Sequence, residues 1–137
     1  MSFAYCPHAG QALPFFIDKK GEVIFSELSP RPHDTGMVTM FTQNFSQFDI
    51  HARVLLGMPL PEIKLNQPGA SHVILAEKNA SGNFVIDGVE EALKDKNVDY
   101  RIFGKPFLKP YRRMGVVLAP NLEQAKKAAK KIFVKAI

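Results

Sequence analysis

The sequence predicts an α+β protein in which short strands and helices alternate along the chain. Two strand-like runs, residues 15–17 and 23–28, flank a polar turn that contains Gly21, which is the pattern of a β-hairpin. Helix start signals, in which Ser or Asn precedes an acidic or amide residue by three positions, occur at Ser46 and Asn121. With 137 residues, 46% of them hydrophobic, the chain can form one compact domain or a piece of a larger one.

The first residues and the hairpin differ in pattern. Residues 1–14 show neither the helix nor the strand period and contain a glycine and two prolines, so we expect an irregular, loosely packed leader. In the hairpin, side chains alternate between two faces, so Val23, Phe25 and Glu27 share one face. A carboxylate is therefore expected in line with apolar side chains.

A loop and a helix follow the hairpin. Residues 29–36 contain two prolines, which block regular structure while polar side chains crowd the strand end. The helix is expected to begin at Ser46 and to end at Gly57, because nearby prolines prevent its continuation. Its predicted apolar stripe consists of Phe48, Ala52, Leu55 and Leu56.

Residues 63–137 are predicted to form a small β-rich unit with helices. The expected strands cover residues 72–76, 84–86, 99–103 and 115–119. Asp87 is expected to cap a short helix that runs to about Lys96, with Glu90 in the capping-box position. The last helix begins after Asn121. Its predicted apolar stripe consists of Leu122, Ala125, Ala129, Ile132 and Phe133.

Charge and composition restrict the class of protein. The net charge of +5 suits an anionic partner, and composition alone does not choose among nucleic acid, phosphate esters and membranes. Much of the excess charge comes from Lys126, Lys127, Lys130, Lys131 and Lys135. We expect these lysines to form a solvated helix face rather than a nucleic-acid patch, because no Arg or aromatic residue is interleaved among Lys126–Lys131. One cysteine, Cys6, no long apolar run and no signal-peptide pattern favour a soluble, cytoplasmic protein without structural zinc or a membrane partner.

The first candidate site follows the hairpin and contains Glu27, Arg31, His33 and Asp34. A carboxylate at a strand end suits a magnesium ion that bridges nucleotide phosphates, because hard cations prefer oxygen ligands. The structural alternative is a salt bridge between Glu27 and Arg31 that merely fixes the turn. Spacing alone favours the structural alternative.

The second candidate site contains Lys105, Arg112 and Arg113, which lie in the predicted loop 104–114. Arg presents a planar fork of donors that matches phosphate oxygens, and Lys adds a point charge. A phosphate-binding loop and a basic loop that faces water remain equal alternatives at this point.

These two segments carry a resemblance to a known family. Residues 26–39, SELSPRPHDTGMVT, closely resemble the hallmark of the formate-dependent phosphoribosylglycinamide formyltransferases, which are ATP-grasp enzymes. Residues 103–106, FGKP, and the sequence Arg112-Arg113-x-Gly115 match a second motif of that family. A sibling, the ATP-dependent carboxylase that acts on aminoimidazole ribonucleotide, has a similar PRPH turn. The resemblance begins near residue 15 and covers about nine tenths of the chain.

The resemblance implies an activity and a set of roles. The family uses ATP, magnesium and formate to make formyl phosphate, and the amine of glycinamide ribonucleotide attacks this intermediate in purine biosynthesis. By motif, Glu27 is a magnesium ligand and Asp34 contacts glycinamide ribonucleotide. Lys105, Arg112 and Arg113 bind the same substrate. The implied organisation is a terminal ATP-grasp hairpin and loop over residues 15–41, a linking helix over 42–62 and a C-terminal domain over 63–137.

Two departures from the family shape the remaining expectations. The family places a second magnesium carboxylate on the preceding strand, where alignment of the hairpin puts Pro14 or Leu13. The ATP-binding region lies upstream of the matching segments, so we expect a C-terminal fragment that is inactive alone, binds no ATP or magnesium and self-associates. The alternatives are a non-catalytic dimerisation or interaction module and a fragment of the related carboxylase.

Overall fold

The computed structural model describes residues 2–6, 11–77 and 82–137, with side chains described from residue 15 onward. The chain divides into two compact units, Met1–Gln67 and Pro68–Ile137. Both contain strands and helices, which confirms the predicted α+β class.

The first unit contains a three-stranded antiparallel sheet, formed by β1 (Ser2–Cys6), β2 (Gln11–Ile17) and β3 (Val23–Phe25) in that order. The predicted hairpin is confirmed as β2–β3. Its turn is closed by Asp18, whose carboxylate accepts hydrogen bonds from the main-chain N–H groups of Lys20 (2.8 Å) and Glu22 (2.9 Å). Gly21 has a φ of 86°, a backbone conformation that favours glycine.

The prediction of an irregular leader over residues 1–14 is wrong for the described part of that segment. Residues 2–6 and 11–14 belong to β1 and β2, and their pairing runs from Ser2 opposite Phe15 to Cys6 opposite Gln11. Sheet pairing with the predicted hairpin overrides a local composition that has little strand character. Residues 1 and 7–10 lie outside the described residues.

Helices complete the first unit. A 3₁₀ turn (Asp34–Val38) leads into α1 (Thr39–Thr42), and α2 spans Gln47–Leu55. The predicted capping box at Ser46 and Asp49 is confirmed. The predicted apolar stripe of α2 is wrong, because Phe48, Ala52, Leu55 and Leu56 are exposed. The buried residues of this helix are Gln47 and Ile50.

The second unit contains two small antiparallel sheets. Its elements are β4 (Ala70–Leu75), β5 (Phe84–Asp87), α3 (Val89–Ala92), β6 (Asp99–Ile102), β7 (Arg113–Ala119), α4 (Leu122–Ala129) and β8 (Phe133–Ala136). One sheet has the order β4–β7–β6, and the other pairs β5 with β8. Helix α4 contacts β4 and β7, so Ala125, Ala128 and Ala129 join Met114 and Val117 in one core cluster.

Two local predictions fail in the second unit. Asp87 does not cap a helix, because it lies in β5 and Gly88 is the N-cap of α3. Phe133 does not continue the last helix, since α4 ends at Ala129 and Phe133 begins β8. Leu122 and Phe133 are each 48% exposed, whereas Ala125, Ala129 and Ile132 of the predicted stripe are buried. Across the described residues, we find no helix with the length and apolar character needed to cross a bilayer.

Candidate functional site

The loop after β3 brings two of the predicted site residues into contact. An oxygen of the Glu27 carboxylate lies against Nε2 of His33. The Glu27 side chain is half exposed, and that of His33 is largely covered. Asp34 is exposed and begins the 3₁₀ turn. This loop therefore gathers Glu27, His33 and Asp34 at one end of the hairpin.

The hydrogen bonds of His33 fix which ring nitrogen carries a proton. The main-chain N–H of Thr35 points to Nδ1 of His33 at 3.3 Å, and the Thr35 hydroxyl lies 2.9 Å from the same atom. A main-chain N–H can only donate, so Nδ1 acts as the acceptor. The hydrogen of a neutral ring is therefore on Nε2, which donates to Glu27.

The predicted pairing of Glu27 with Arg31 is wrong. The guanidinium of Arg31 donates from Nη1 to the carbonyl oxygen of Pro32 at 3.0 Å, whereas the contact of Glu27 is His33. Arg31 stands between Pro30 and Pro32, whose rings restrict the local backbone, and its side chain folds onto the loop itself. Glu27 is thus fixed to the loop by an imidazole and not by a guanidinium.

A residue that the sequence did not single out holds this loop in place. The side chain of Gln47 is nearly fully buried, at 2% exposure, at the start of α2. Its Oε1 accepts a hydrogen bond from the main-chain N–H of His33 (3.0 Å), and its Nε2 donates to the His33 carbonyl oxygen (2.6 Å). The sequence carried a signal for this role, because Gln47 directly follows the capping residue Ser46. An amide that is buried at the start of a helix must find hydrogen-bond partners.

The described residues of this site do not by themselves fit a magnesium ion. Glu27 supplies one carboxylate, and that carboxylate already contacts His33. The β2–β3 register pairs Phe15 with Phe25, so continuing it by two residues sets Leu13, which has no ligand atom, opposite Glu27. Among the described residues, no group of three His, Cys, Asp or Glu side chains is arranged to hold a metal.

The second candidate site lies on the connection between β6 and β7. Lys105 and Arg112 are partly buried in this connection, and Arg113 is the exposed first residue of β7. The predicted loop 104–114 is thus shorter at its end, because Met114 is a fully buried strand residue. The backbone of the loop is anchored where the main-chain N–H of Ala76 donates to the Arg112 carbonyl oxygen at 2.8 Å.

Aromatic rings support the cations of this loop. The Arg112 guanidinium lies over the Phe107 ring, 5.1 Å from its centroid, and its Nη1 donates to the Phe107 carbonyl oxygen at 2.9 Å. The ammonium of Lys109 lies 5.4 Å from the centroid of the same ring, and that of Lys105 lies 6.0 Å from the Phe103 ring. Phe107 therefore positions Arg112 through both its ring and its main chain.

Neighbouring residues fix where the loop leaves the sheet. Leu108, at 1% exposure, donates its main-chain N–H to the Gly82 carbonyl oxygen at 2.8 Å. Gly115 sits in the central strand, where a Cβ atom would lie 2.6 Å from the Arg101 carbonyl oxygen. The close approach of β6 to β7 therefore requires glycine at this position, two residues after Arg113.

The lysines near the C-terminal helix have varied surroundings. Lys135 contacts Asp87 at 3.0 Å, and Lys131 donates to the Glu91 carbonyl oxygen at 3.0 Å. The pKa of His72 lies below its ordinary value because of burial and because of the positive charges of Lys126 and Lys130. A neutral His72 therefore sits beside the exposed cations of α4.

Family models and solved structures match this arrangement. Residues 69–135 match the family model described as PurT, C-terminal, and residues 10–48 match the ATP-grasp domain. The second match begins at residue 10, five residues before the start that the sequence motifs indicated, near residue 15. The likeness includes part of β2 that sequence reasoning had assigned to the leader.

Three individual proteins resemble this chain in sequence or in structure. The chain is 54% identical over 117 residues to the formate-dependent phosphoribosylglycinamide formyltransferase of Trichormus variabilis, covering 84% of this chain and 29% of the relative. The N5-carboxyaminoimidazole ribonucleotide synthetase of Thermotoga maritima superposes with a TM-score of 0.83 and 31% identity over 93% of this chain and 37% of that one. The glycinamide-RNase-transformylase T of Mycobacterium tuberculosis gives a TM-score of 0.60 and 27% identity, covering 88% of this chain and 30% of that one.

The two family matches follow each other along the chain in the order that the sequence motifs predicted. The chain spans about 29% of the length of the curated relative from Trichormus variabilis. The match to the formyltransferases is stronger in sequence than the match to the synthetases, at 54% against 31% identity. The chain therefore belongs to the family of formate-dependent phosphoribosylglycinamide formyltransferases and corresponds to its C-terminal part, the end of an ATP-grasp domain followed by the PurT C-terminal domain.

Proposed function

We propose that this chain supplies the glycinamide ribonucleotide-binding part of an enzyme that formylates this substrate with ATP and formate in de novo purine biosynthesis. The observation that carries the proposal is the cationic β6–β7 connection, in which Phe107 orients the Arg112 guanidinium. This connection lies inside the segment that matches the PurT C-terminal model. The relative from Trichormus variabilis is named for action on phosphoribosylglycinamide.

The substrate phosphate is the group that this loop suits. A guanidinium has five N–H donors in a planar fork, and the recorded bond from Arg112 to Phe107 uses one of them. Charge-assisted, paired hydrogen bonds from Arg112 and Arg113, with the point charge of Lys105, match the oxygens of a phosphate monoester. We assign these three residues to the phosphate end of the substrate.

Asp34 is the residue that we assign to the amine end of glycinamide ribonucleotide. Its carboxylate is exposed at the start of a turn whose preceding residue, His33, is held by a buried side chain. A carboxylate accepts hydrogen bonds from an amine and stabilises positive charge on it. The role of Glu27 as a magnesium ligand stays a prediction from the family resemblance, and no step is assigned to magnesium or ATP.

A homo-oligomer and a cytoplasmic location are part of the same proposal. Leu55 and Leu56 on α2 are each 72% exposed, and Val23 and Phe25 on β3 are 67% and 65% exposed. Apolar surface of this extent favours association.

Calorimetric titration of the 137-residue chain with glycinamide ribonucleotide tests the phosphate assignment. We expect R112A/R113A to lose affinity by on the order of a hundredfold, because charge-assisted hydrogen bonds are lost. The matched control is K126A/K127A, which removes two exposed lysines from α4 and should change affinity by less than about twofold. Circular dichroism checks that both variants fold.

The same titration separates the competing functions. Equal losses in both variants and a steep dependence on salt concentration would indicate binding through general charge, as in a nucleic-acid binder. Tighter binding of aminoimidazole ribonucleotide would favour the carboxylase alternative, which the TM-score of 0.83 with a synthetase supports. If neither ribonucleotide binds, the proposed function is wrong for this chain, and a non-catalytic interaction module becomes the better interpretation.

A further inference from the structure

The clearest polar feature outside the assigned roles is the contact between Gln47 and the peptide groups of His33. The carbonyl oxygen of His33 accepts two hydrogen bonds, one from Gln47 Nε2 at 2.6 Å and one from the main-chain N–H of Gly36 at 2.9 Å. The N–H of His33 donates to Gln47 Oε1 at 3.0 Å. One side-chain amide therefore satisfies both main-chain polar groups of His33.

The start of α2 is tied to the same loop by a second contact. The main-chain N–H of Gln47 donates to the Thr39 hydroxyl at 2.9 Å, and this hydroxyl donates to the Gly36 carbonyl oxygen at 2.6 Å. Gln47 and Thr39 are 2% and 3% exposed. The hydrogen bonds that join Gln47, Thr39 and Gly36 are buried, and those between Gln47 and His33 are partly buried, so a Gln47 amide left without partners would be costly.

We propose that Gln47 is a positioning residue, which holds the main chain of His33 so that its ring reaches Glu27 and the next residue, Asp34, keeps its orientation. We call the two hydrogen bonds between the Gln47 amide and the main chain of His33 the clamp. Its functional importance rests on the role proposed above for Asp34. The chemical requirement is specific, because His33 needs both an acceptor and a donor. An amide provides both, a carboxylate provides only the acceptor, and a thioether of similar length provides neither strong group.

The test uses the 137-residue chain with Q47M and Q47E. The matched control is Q67M, because Nε2 of Gln67 also donates to a main-chain carbonyl, that of Phe41 at 2.9 Å, but at an exposed position. The first readout is the exchange rate of the His33 amide hydrogen. The second is the ¹⁵N signature of the His33 ring, recorded at alkaline pH, which distinguishes hydrogen on Nε2 from hydrogen on Nδ1.

We expect Q47M to speed exchange of the His33 amide by at least about tenfold, the factor that corresponds to one lost hydrogen bond. The ring signals should shift from a single tautomer, with hydrogen on Nε2, toward a mixture of both. Q47E should retain more protection of the His33 amide than Q47M, since its carboxylate can still accept. Q67M should leave both readouts unchanged.

Several outcomes overturn the clamp. One is a His33 amide that already exchanges in the unmodified chain at the rate of an exposed loop, a result that needs no variant to fold. Another is a Q47M variant whose His33 signals match those of the unmodified chain.

Titration with glycinamide ribonucleotide separates the clamp from the proposed function. If the unmodified chain and Q47M bind the ribonucleotide equally while the His33 signals change, the proposed function stands and the positioning role is wrong. If the unmodified chain does not bind it, the proposed function fails, and the exchange and ring measurements still decide whether the clamp exists.

Discussion

The interiors of the two units differ in kind. All the buried polar side chains in the described part of the chain, Ser29, Thr39, Thr42, Ser46 and Gln47, belong to the first unit. In the same described part, every buried hydrophobic side chain except Ile50 belongs to the second unit. The first unit is thus organised by hydrogen bonds, and the second by a hydrophobic core.

This difference explains how each candidate site is held. The loop with Glu27 and His33 has little hydrophobic core beneath it among the described residues, so its geometry depends on hydrogen bonds from the Gln47 amide to His33 and from the Thr39 hydroxyl to Gly36. The loop with Arg112 leads into β7, whose Met114 and Val117 belong to the hydrophobic core, so exposed contacts with Phe107 are sufficient to orient Arg112. We therefore expect substitutions to affect the two loops differently, although both were predicted from short charged motifs.

The largest effect expected from this difference between the two units concerns self-association. If the exposed apolar residues of the first unit drive it, L55E/L56E should raise the dissociation constant at least about tenfold, because two leucines can no longer be buried. Sedimentation velocity over a wide range of concentrations measures this. The control L122E/I137E changes two exposed apolar residues of the second unit and should leave association nearly unchanged. A monomeric unmodified chain at all concentrations would contradict the prediction.

A smaller effect is expected at the second loop. F107L removes the ring beneath Arg112 but keeps the main-chain carbonyl that accepts from it, so affinity for glycinamide ribonucleotide should fall about two- to fivefold. Stability should change little, because Phe107 is 42% exposed.

F107Y is the matched control, because it preserves the ring and should bind like the unmodified chain. Equal affinities for F107L and F107Y would show that the ring does not orient Arg112. A large loss of stability in F107L would mean that the ring supports the core and not only the cations.

The smallest effect is a difference in acid sensitivity. Folding lowers the pKa of His72 below 6.5 through burial and through Lys126 and Lys130, so the unfolded state binds the proton more strongly. The contribution of a neutral His72 is present above the unfolded pKa and is lost as pH falls below 6.5. Hydrogen bonds from Ser46, first from its side chain and then from its main chain, lower the pKa of Asp49 below 3.8, so its contribution lasts to a lower pH.

Mild acid should therefore destabilise the second unit before the first. Urea unfolding followed through amide signals of β7 and α2, at several pH values, measures the two units separately. H72Q should remove the pH dependence of the second unit between neutral pH and the region below 6.5, and D49N should not. Parallel loss in both units would contradict this order.

The sequence predicted those features that depend on near neighbours. The β2–β3 hairpin and the helix starts at Ser46 and Asn121 were found because a turn glycine or a capping partner lies within a few residues. The position of Phe133 in a strand could not be predicted in this way, since its pairing partner in β5 is Asp87, far away along the chain. The predicted apolar stripe of the last helix therefore extended past Ala129, where α4 ends.

The candidate residues were predicted from motifs, but the contacts that hold them in place were not. Glu27, Asp34 and Lys105 follow from residue type and spacing, whereas the partner of Glu27 depends on how the loop folds and proved to be His33. Gln47 lies outside the motif and acts on it through a partly buried hydrogen bond to His33, fourteen residues away along the chain. A hydrophobic pattern also misassigned the buried face of α2, because the first unit buries polar side chains.

Because β5 pairs with β8, the second unit cannot complete its fold on the ribosome until β8 has been synthesised. Val134, in β8, is 2% exposed and belongs to the same core cluster as Ile74 and Met114. Synthesis proceeds from the N-terminus, so β4 to β7 leave the exit tunnel while this part of the core still has an open side. The sheet that contains the Arg112 loop can pair early, but the unit closes only after residues 133–136 have emerged.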